Sequence, residues 1–224
     1  MRLLILWLCL ALAIIPSARV IPVAAAPEVA APLPFPITHE GHFGGHVRIV
    51  KVEGQTGYLA EGNYFTILDL RALPQIAPLA SLPLTGPVYD IAIAGSRAYL
   101  AVANVGLVVV NMANLQQPSV IATVPLSGAS TPDDVEVAGT VVYLRTRGDG
   151  LRIYDLQTPG APEQLGHYAA QFDQLSPGTT LARHGTTLYA VTNTLSIRGV
   201  HVIDASNPHA PSLARIIPSS NDGV

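Results

Sequence analysis

The densest group of potential metal ligands in the sequence lies around residue 40. His39, His42 and His46 fall within eight residues, and Glu40 follows the first of them. Imidazole nitrogens suit zinc or copper, and three such ligands leave room for a catalytic water. Three glycines separate these residues, however, and the spacing matches no single helical face. We therefore expect a solvated linker here, with metal binding as the alternative.

Two aspartates occupy matching positions of a sequence repeat that is described below. Asp90 and Asp134 each precede a turn glycine by five residues, and the other two copies have Ile49 and Thr180 at that position. We expect a structural role in which each carboxylate bonds to a neighbouring turn. The alternative is a ring of carboxylates that holds a cation, and the two uncharged copies would leave that ring incomplete. Asp133 is expected to be a further loop acid.

The remaining reactive side chains form no recognisable catalytic set. The sequence contains no Gly-x-Ser-x-Gly elbow, no His-Glu-x-x-His pair and no phosphate-binding glycine loop. Ser127 and Ser176 are expected in loops without an evident His or Asp partner. His201 falls inside a predicted strand, where we expect a core or edge residue. The sequence therefore predicts no catalytic and no cofactor-binding residues, and it leaves metal binding open.

The strands that would position these side chains come from a repeat. A Gly-x-x-x-Tyr motif occurs four times, with its tyrosines spaced by 41, 44 and 46 residues. These tyrosines are Tyr58, Tyr99, Tyr143 and Tyr189. An apolar run that ends in Asp or Asn follows each motif: Phe65–Asp69, Leu107–Asn111, Leu151–Asp155 and Val200–Asp204. In the last three copies a glycine begins the run and a proline follows its Asp or Asn by seven residues, whereas the first copy has Tyr64 in place of the glycine.

Each copy is predicted to form four short β-strands. In the second copy these are Val88–Ala94, Ala98–Ala103, Leu107–Met112 and Val120–Leu126, separated by Gly- and Asn-containing turns. Several strands are apolar on both faces, which is typical of a blade covered by a neighbour on each side. The predicted fold class is therefore all-β: a propeller-type array of four four-stranded blades, in a closed or an incomplete ring. We expect the recurring tyrosines to pack between blades and the Asp and Asn residues to stabilise turns.

The repeat resembles a known family. Gly106–Asn111 and Gly150–Asp155, with the preceding Gly-x-x-x-Tyr and the following proline, resemble the signature of the LVIVD-repeat family. His201–Asp204 and Phe65–Asp69 are weaker copies. The resemblance covers roughly residues 41–217. It implies a bacterial cell-surface or secreted propeller, often within a longer chain, and it carries over no catalytic residues.

The N-terminal segment is typical of a secretory signal peptide. Arg2 precedes Leu3–Ile15, an apolar run that is too short to span a bilayer, and small residues follow it. An uncleaved anchor is the alternative. Cys9, the only cysteine, lies inside this segment, so the mature chain would have no disulfide. The predicted organisation is a signal peptide at 1–26, a Pro/Ala-rich linker at 27–40, four blades at 41–217 (about 45–86, 87–128, 131–170 and 178–217) and a tail at 218–224.

Composition narrows the function classes. Charged residues make up 12% of the chain, the net charge is −3, and no Lys/Arg run is present, which argues against nucleic-acid binding. We expect an exported, non-enzymatic module, secreted or at the cell surface, whose loops bind an unknown extracellular protein or glycan without a cofactor. The alternative is a propeller enzyme of the lactonase, lyase or quinoprotein type with a metal or cofactor in its channel. Scarce charges and unlike residues at equivalent positions disfavour this alternative.

The ends of the repeat array raise the question of ring closure. The sequence offers no spare terminal strand that would close a ring, and we expect an N-terminal part of a longer repeat protein with further blades. We expect no membrane span in the mature chain. Exposed apolar blade faces would favour aggregation or oligomerisation of the four blades alone.

Overall fold

A computed structural model describes residues 46–71, 73–126, 130–172, 180–193 and 198–219. The predicted signal peptide, the whole linker at 27–40 with His39 and Glu40, and His42, Ser127 and Ser176 lie outside the described residues.

The described residues form sixteen strands in four antiparallel sheets. Sheet 1 contains β1 (Val47–Glu53), β2 (Thr56–Glu61), β3 (Tyr64–Asp69) and β4 (Ala77–Pro83). Sheet 2 contains β5 (Val88–Ala94), β6 (Arg97–Val102), β7 (Gly106–Asn111) and β8 (Ser119–Pro125). Sheet 3 contains β9 (Thr131–Ala138), β10 (Val141–Arg147), β11 (Gly150–Asp155) and β12 (Glu163–Ala169). Sheet 4 contains β13 (Leu181–His184), β14 (Thr187–Asn193), β15 (Arg198–Asp204) and β16 (Ser212–Pro218).

Every sheet is a four-stranded meander, because each strand pairs with the next one along the chain. The predicted strands of the second repeat are found within one residue of their expected bounds. The first strands are neighbours in succession, with β5 against β1 and β9, and β9 against β13. The all-β array of four four-stranded blades is thus confirmed. We call the end of the sheets that carries the connections between sheets the connection end, and the opposite end the hairpin end.

The recurring glycines have two different backbone roles. The glycine of each Gly-x-x-x-Tyr motif turns the hairpin between first and second strands with φ between +58° and +61°. The glycine that begins each of the last three apolar runs also has a positive φ, for example +131° at Gly106, where an added Cβ would lie 2.0 Å from the carbonyl oxygen of Val124. A residue with a side chain is disfavoured at both positions, the second for steric as well as conformational reasons.

The core lies between successive sheets rather than inside any one of them. Three buried clusters join sheet 1 to sheet 2, sheet 2 to sheet 3 and sheet 3 to sheet 4. Leu107–Val110 shows the consequence: alternate side chains enter different clusters, and all four are at most 2% exposed. The predicted burial of both strand faces is therefore confirmed for the central strands.

The two outward faces of the array are less covered. On sheet 1, Val50 and Val52 are 62% and 59% exposed. On sheet 4, Tyr189, Val191 and Val200 are only half-buried, although the matching residues of sheets 1 to 3 are buried. Apolar side chains at both outward faces are therefore in contact with solvent. Within the described ranges, no helix is long and apolar enough to cross a membrane.

Candidate functional site

Asp90 and Asp134 connect the first strands of successive sheets. Oδ2 of Asp90 accepts a hydrogen bond of 3.0 Å from the backbone N–H of Val135 in the next sheet. Oδ2 of Asp134 accepts bonds from the backbone N–H groups of Thr180 (2.5 Å) and Leu181 (2.9 Å), and from the Thr180 hydroxyl (3.1 Å). The structural role expected for these carboxylates is found, but their partners lie at the first strand of the next sheet rather than in a turn.

The same two carboxyl groups lie close to each other in a dry environment. Asp90 is 6% exposed and Asp134 is 2% exposed. Burial, the charge of Asp134 and a hydrogen bond between the two groups raise the pKa of Asp90 to about 8, against the smaller effects of Lys51 and the Val135 amide. Nζ of Lys51 lies 3.7 Å from Oδ1 of Asp90. Burial beside a second carboxyl group therefore favours the protonated form of Asp90.

The residues that end the apolar runs, and three of the four recurring tyrosines, have the roles that the sequence predicts. The residues that end the apolar runs each accept a bond from the backbone N–H two residues later, at 2.8–3.0 Å. These residues are Asp69, Asn111, Asp155 and Asp204. Three of the four recurring tyrosines enter the cluster between their own sheet and the next. Tyr189 belongs to sheet 4, whose outer face is half-covered.

The first strand of three sheets is interrupted by a β-bulge near the connection end. The register shifts lie between Val47 and Ile49, between Val88 and Asp90, and opposite Arg145 and Thr146. The extra residues are Arg48, Tyr89 and Asp133, which hold equivalent positions directly before Ile49, Asp90 and Asp134. Because a bulge changes the direction in which one side chain points, it brings residues to a place that regular alternation would not give them.

Asp133 lies in β9 and not in a loop, which corrects the sequence expectation. Its carboxylate is buried and pairs with Arg145 through Nη1, and with Arg147 through Nε at 3.1 Å. Arg145 is fully buried; its Nη2 donates to the carbonyl oxygen of Val191 at 2.9 Å, and its guanidinium lies over the ring of Phe172 at 4.7 Å. Burial raises the pKa of Asp133, and both arginines oppose this effect.

Tyr89 is the point at which arginines of two sheets meet. Cζ of Arg48 lies 4.4 Å from the centre of its ring, and Cζ of Arg147 lies 5.2 Å from it. Both distances are those of cation–π contacts. We name Arg48, Tyr89, Asp133, Arg145 and Arg147 the arginine cluster. It combines three guanidinium groups with one carboxylate at the connection end of sheets 1 to 3, in a chain with few charges.

Two polar atoms of the arginine cluster are buried without a hydrogen-bond partner in the part of the chain that the structure describes. They are Oδ1 of Asp133 and Nε of Arg145. A buried polar atom without a partner costs free energy, so each calls for a bound water or ligand group. The sequence analysis did not identify this cluster, although Arg145 stands in an otherwise apolar strand.

His201 is buried between sheets 3 and 4, as the sequence leads one to expect for a core residue. Its Nδ1 lies 2.9 Å from the hydroxyl of Tyr168, and the rings of Phe172 and Tyr168 meet it edge-on at 5.7 and 6.0 Å. Burial lowers the pKa of His201, so the neutral imidazole is favoured. His201 is 6% exposed and packs among these aromatic rings.

An open recess of about 400 Å³ lies at the hairpin end between sheets 1 and 2. It is lined by turn residues that include Asp69, Arg71, Asn114 and Gln116. Arg71 is already paired with Asp69, whose pKa the guanidinium lowers to about 2. His46 is the one histidine of the predicted cluster that the structure describes, and no group of three metal-ligating side chains occurs among the described residues.

Comparison with known families agrees with the repeat pattern. The LVIVD repeat model matches residues 44–72 and 85–124, which contain β1 to β3 and β5 to β7 with most of β8. The matched residues of sheets 1 and 2 are LVIVD repeats, which confirms the predicted resemblance to that family. No curated protein matches this LVIVD-repeat chain.

Solved structures share the fold at low sequence identity. A functionally unknown protein from Desulfotomaculum acetoxidans matches with a TM-score of 0.61 and 12% identity over 80% of this chain and 58% of its own. The periplasmic gluconolactonase PpgL of Pseudomonas aeruginosa matches with a TM-score of 0.56 and 15% identity over 77% of this chain and 53% of its own. The computationally designed Ika4 protein matches with a TM-score of 0.57 and 12% identity over 73% and 92%. The LVIVD-repeat chain thus spans little more than half the length of these two natural proteins, and the likeness concerns the fold alone.

Proposed function

We propose that this LVIVD-repeat chain is an exported, non-enzymatic binding module, secreted or held at the cell surface. The signal-peptide-like segment at 1–26 supports export. Its partner would be an extracellular protein or glycan rather than a nucleic acid, and further blades of a longer chain would extend the array.

The distribution of charged side chains carries the proposal. The carboxylates best suited to general acid–base chemistry, Asp90 and Asp134, are enclosed and bond to the backbone of the next sheet. In contrast, Arg48 is exposed and Tyr89 is half-buried at the connection end. Guanidinium groups and aromatic rings are frequent at binding surfaces, where they give directional contacts. The acids therefore stabilise the array, and the arginine cluster is the surface suited to recognition.

A propeller enzyme is the second candidate. The likeness to a gluconolactonase and the raised pKa of Asp90 favour it. An acid–base group has to reach substrate within hydrogen-bond distance, however, and Asp90 is 6% exposed. This burial makes the binding module the better supported function.

Export and metal content test the proposal together. The chain is expressed with its own N-terminus in a bacterial host, and the fractions outside the cytoplasm are assayed for a product shortened at its N-terminus. The matched control, Leu8→Arg, interrupts the apolar run and is expected to remain uncleaved in the cytoplasm. Elemental analysis of the purified wild-type chain is expected to find less than stoichiometric metal. A cytoplasmic, uncleaved wild-type chain would contradict export, and a stoichiometric bound ion would support the enzyme.

A further inference from the structure

We propose that the arginine cluster binds an oxyanion group of the ligand, a carboxylate or a phosphate, and that Arg48 is the residue that grips it. The inference rests on the proposed binding function and names the ligand chemistry of that same surface.

The β-bulges of sheets 1 to 3 bring unlike side chains to one end of the array. The three bulges place unlike residues, Arg48, Tyr89 and Asp133, at one equivalent position of sheets 1, 2 and 3. A position that served only to pack sheets together would be expected to hold similar side chains in each copy, as the tyrosine position does. Arginine, tyrosine and aspartate at this position instead form one mixed site at the connection end.

Arg48 is the exposed arginine of the cluster. Cζ of Arg48 lies 4.4 Å from the centre of the Tyr89 ring, and the Arg48 side chain is exposed. Within the described residues it has no carboxylate partner. Stacking on a ring leaves the N–H groups at the edge of the guanidinium directed outward, and this planar fork fits the two oxygens of a carboxylate or phosphate.

The arginine cluster contains more guanidinium groups than carboxylates. Asp133 pairs with both Arg145 and Arg147, so one negative charge faces two positive ones, and Arg48 adds a third. Among the described residues, the members of the cluster carry three guanidinium groups and one carboxylate. The unpaired Oδ1 of Asp133 and Nε of Arg145 lie at the buried base of the same cluster. A buried water would complete the hydrogen bonding of these two atoms, and the oxyanion would balance the charge of Arg48.

Isothermal titration of the purified chain tests the inference. The probes are D-glucuronate and inorganic phosphate, with D-glucose and sodium chloride as uncharged and simple-anion controls at constant ionic strength. We expect saturable binding of glucuronate, phosphate or both, and none of glucose or chloride; the stronger of the two probes identifies the group. Arg48→Ala should weaken binding by about 10- to 100-fold, since hydrogen bonds to charged groups are lost. Arg48→Lys should bind more weakly than the wild type and more tightly than Arg48→Ala.

The matched control is Arg215→Ala, which removes another exposed arginine, on β16. It should bind as the wild type does, and circular dichroism should show all three variants folded. Equal binding by Arg48→Ala and wild type, or equal loss in Arg215→Ala, would overturn the inference. Binding of glucose with no effect of Arg48→Ala would overturn the oxyanion site and leave the binding module standing. Turnover of a lactone substrate by the chain would instead contradict the binding module itself.

Discussion

Removal of the Asp134 side chain should weaken the contact between sheets 3 and 4. One carboxylate oxygen of Asp134 accepts bonds from two backbone N–H groups and one hydroxyl, at 2.5–3.1 Å, and the group is 2% exposed. In Asp134→Ala the N–H groups of Thr180 and Leu181 lose their acceptor. A buried donor without a partner costs about 1–3 kcal/mol, and removal of a buried charge beside Asp90 returns part of this. The expected net loss is about 2–4 kcal/mol, a large part of a typical folding free energy.

Urea denaturation at pH 7, followed by circular dichroism, measures this loss as a lower midpoint at unchanged slope. Asp134→Asn keeps an acceptor oxygen without the charge, so it should lose less than half as much. Asp155→Ala is the matched control: its carboxylate accepts one bond, from the Gln157 N–H at an exposed turn, and the expected loss is about 1 kcal/mol or less. Equal losses in Asp134→Ala and Asp155→Ala would refute the argument that Asp134 links two sheets.

Three further predictions concern the buried carboxyl group of Asp90, the close backbone approach at Gly166 and the exposed outer face of sheet 1. The pKa of Asp90 is raised to about 8 from its usual 3.8, so its contribution to stability is full below about pH 4 and is lost as pH rises through 8. The excess stability of wild type over Asp90→Asn should therefore fall between pH 5 and 9. A difference in urea midpoints that stays constant over this range would contradict the prediction. Gly166→Ala should destabilise the protein by about 1–3 kcal/mol, since an added Cβ would lie 2.1 Å from a carbonyl oxygen of the next sheet. The control Gly160→Ala has room for the added methyl group and should be near neutral in thermal denaturation. Equal melting temperatures for the two variants would refute the steric argument. The exposed Val50 and Val52 should promote self-association of the chain. Light scattering coupled to size-exclusion chromatography should show oligomers, and replacing both valines with threonine should reduce them. A wild-type chain that stays monomeric at all concentrations would contradict this prediction.

The sequence predicts most of the fold because the repeat shows each structural requirement several times. The four Gly-x-x-x-Tyr motifs fix the hairpins, and the residues that end the apolar runs fix the turns, since each role depends on contacts within one sheet or with the next. Asp90 and Asp134 could be assigned a structural role for the same reason. Their partners could not be named, because a backbone N–H carries no sequence signal.

The arginine cluster is not visible in the repeat because its members come from three sheets. Arg48, Tyr89 and Asp133 occupy equivalent positions but have unlike side chains. A comparison of the copies therefore shows no shared residue type at this position. The bulges that bring them together also have no marker in the sequence. One signal was present: Arg145 stands in an apolar strand where other copies have Ala60 and Ala101. A buried arginine requires a carboxylate nearby, and this requirement points to the adjacent strand that carries Asp133.

Mapping of ligand contacts by NMR tests the central claim, that the connection end is the recognition surface, most directly. Amide shifts of the ¹⁵N-labelled chain are followed during titration with glucuronate and with phosphate. We predict that the changes centre on residues 48, 89, 133 and 147 and spare residues 69–71 and 114–116 at the hairpin end. Changes centred on the hairpin-end recess, or spread evenly over the surface, would contradict the account.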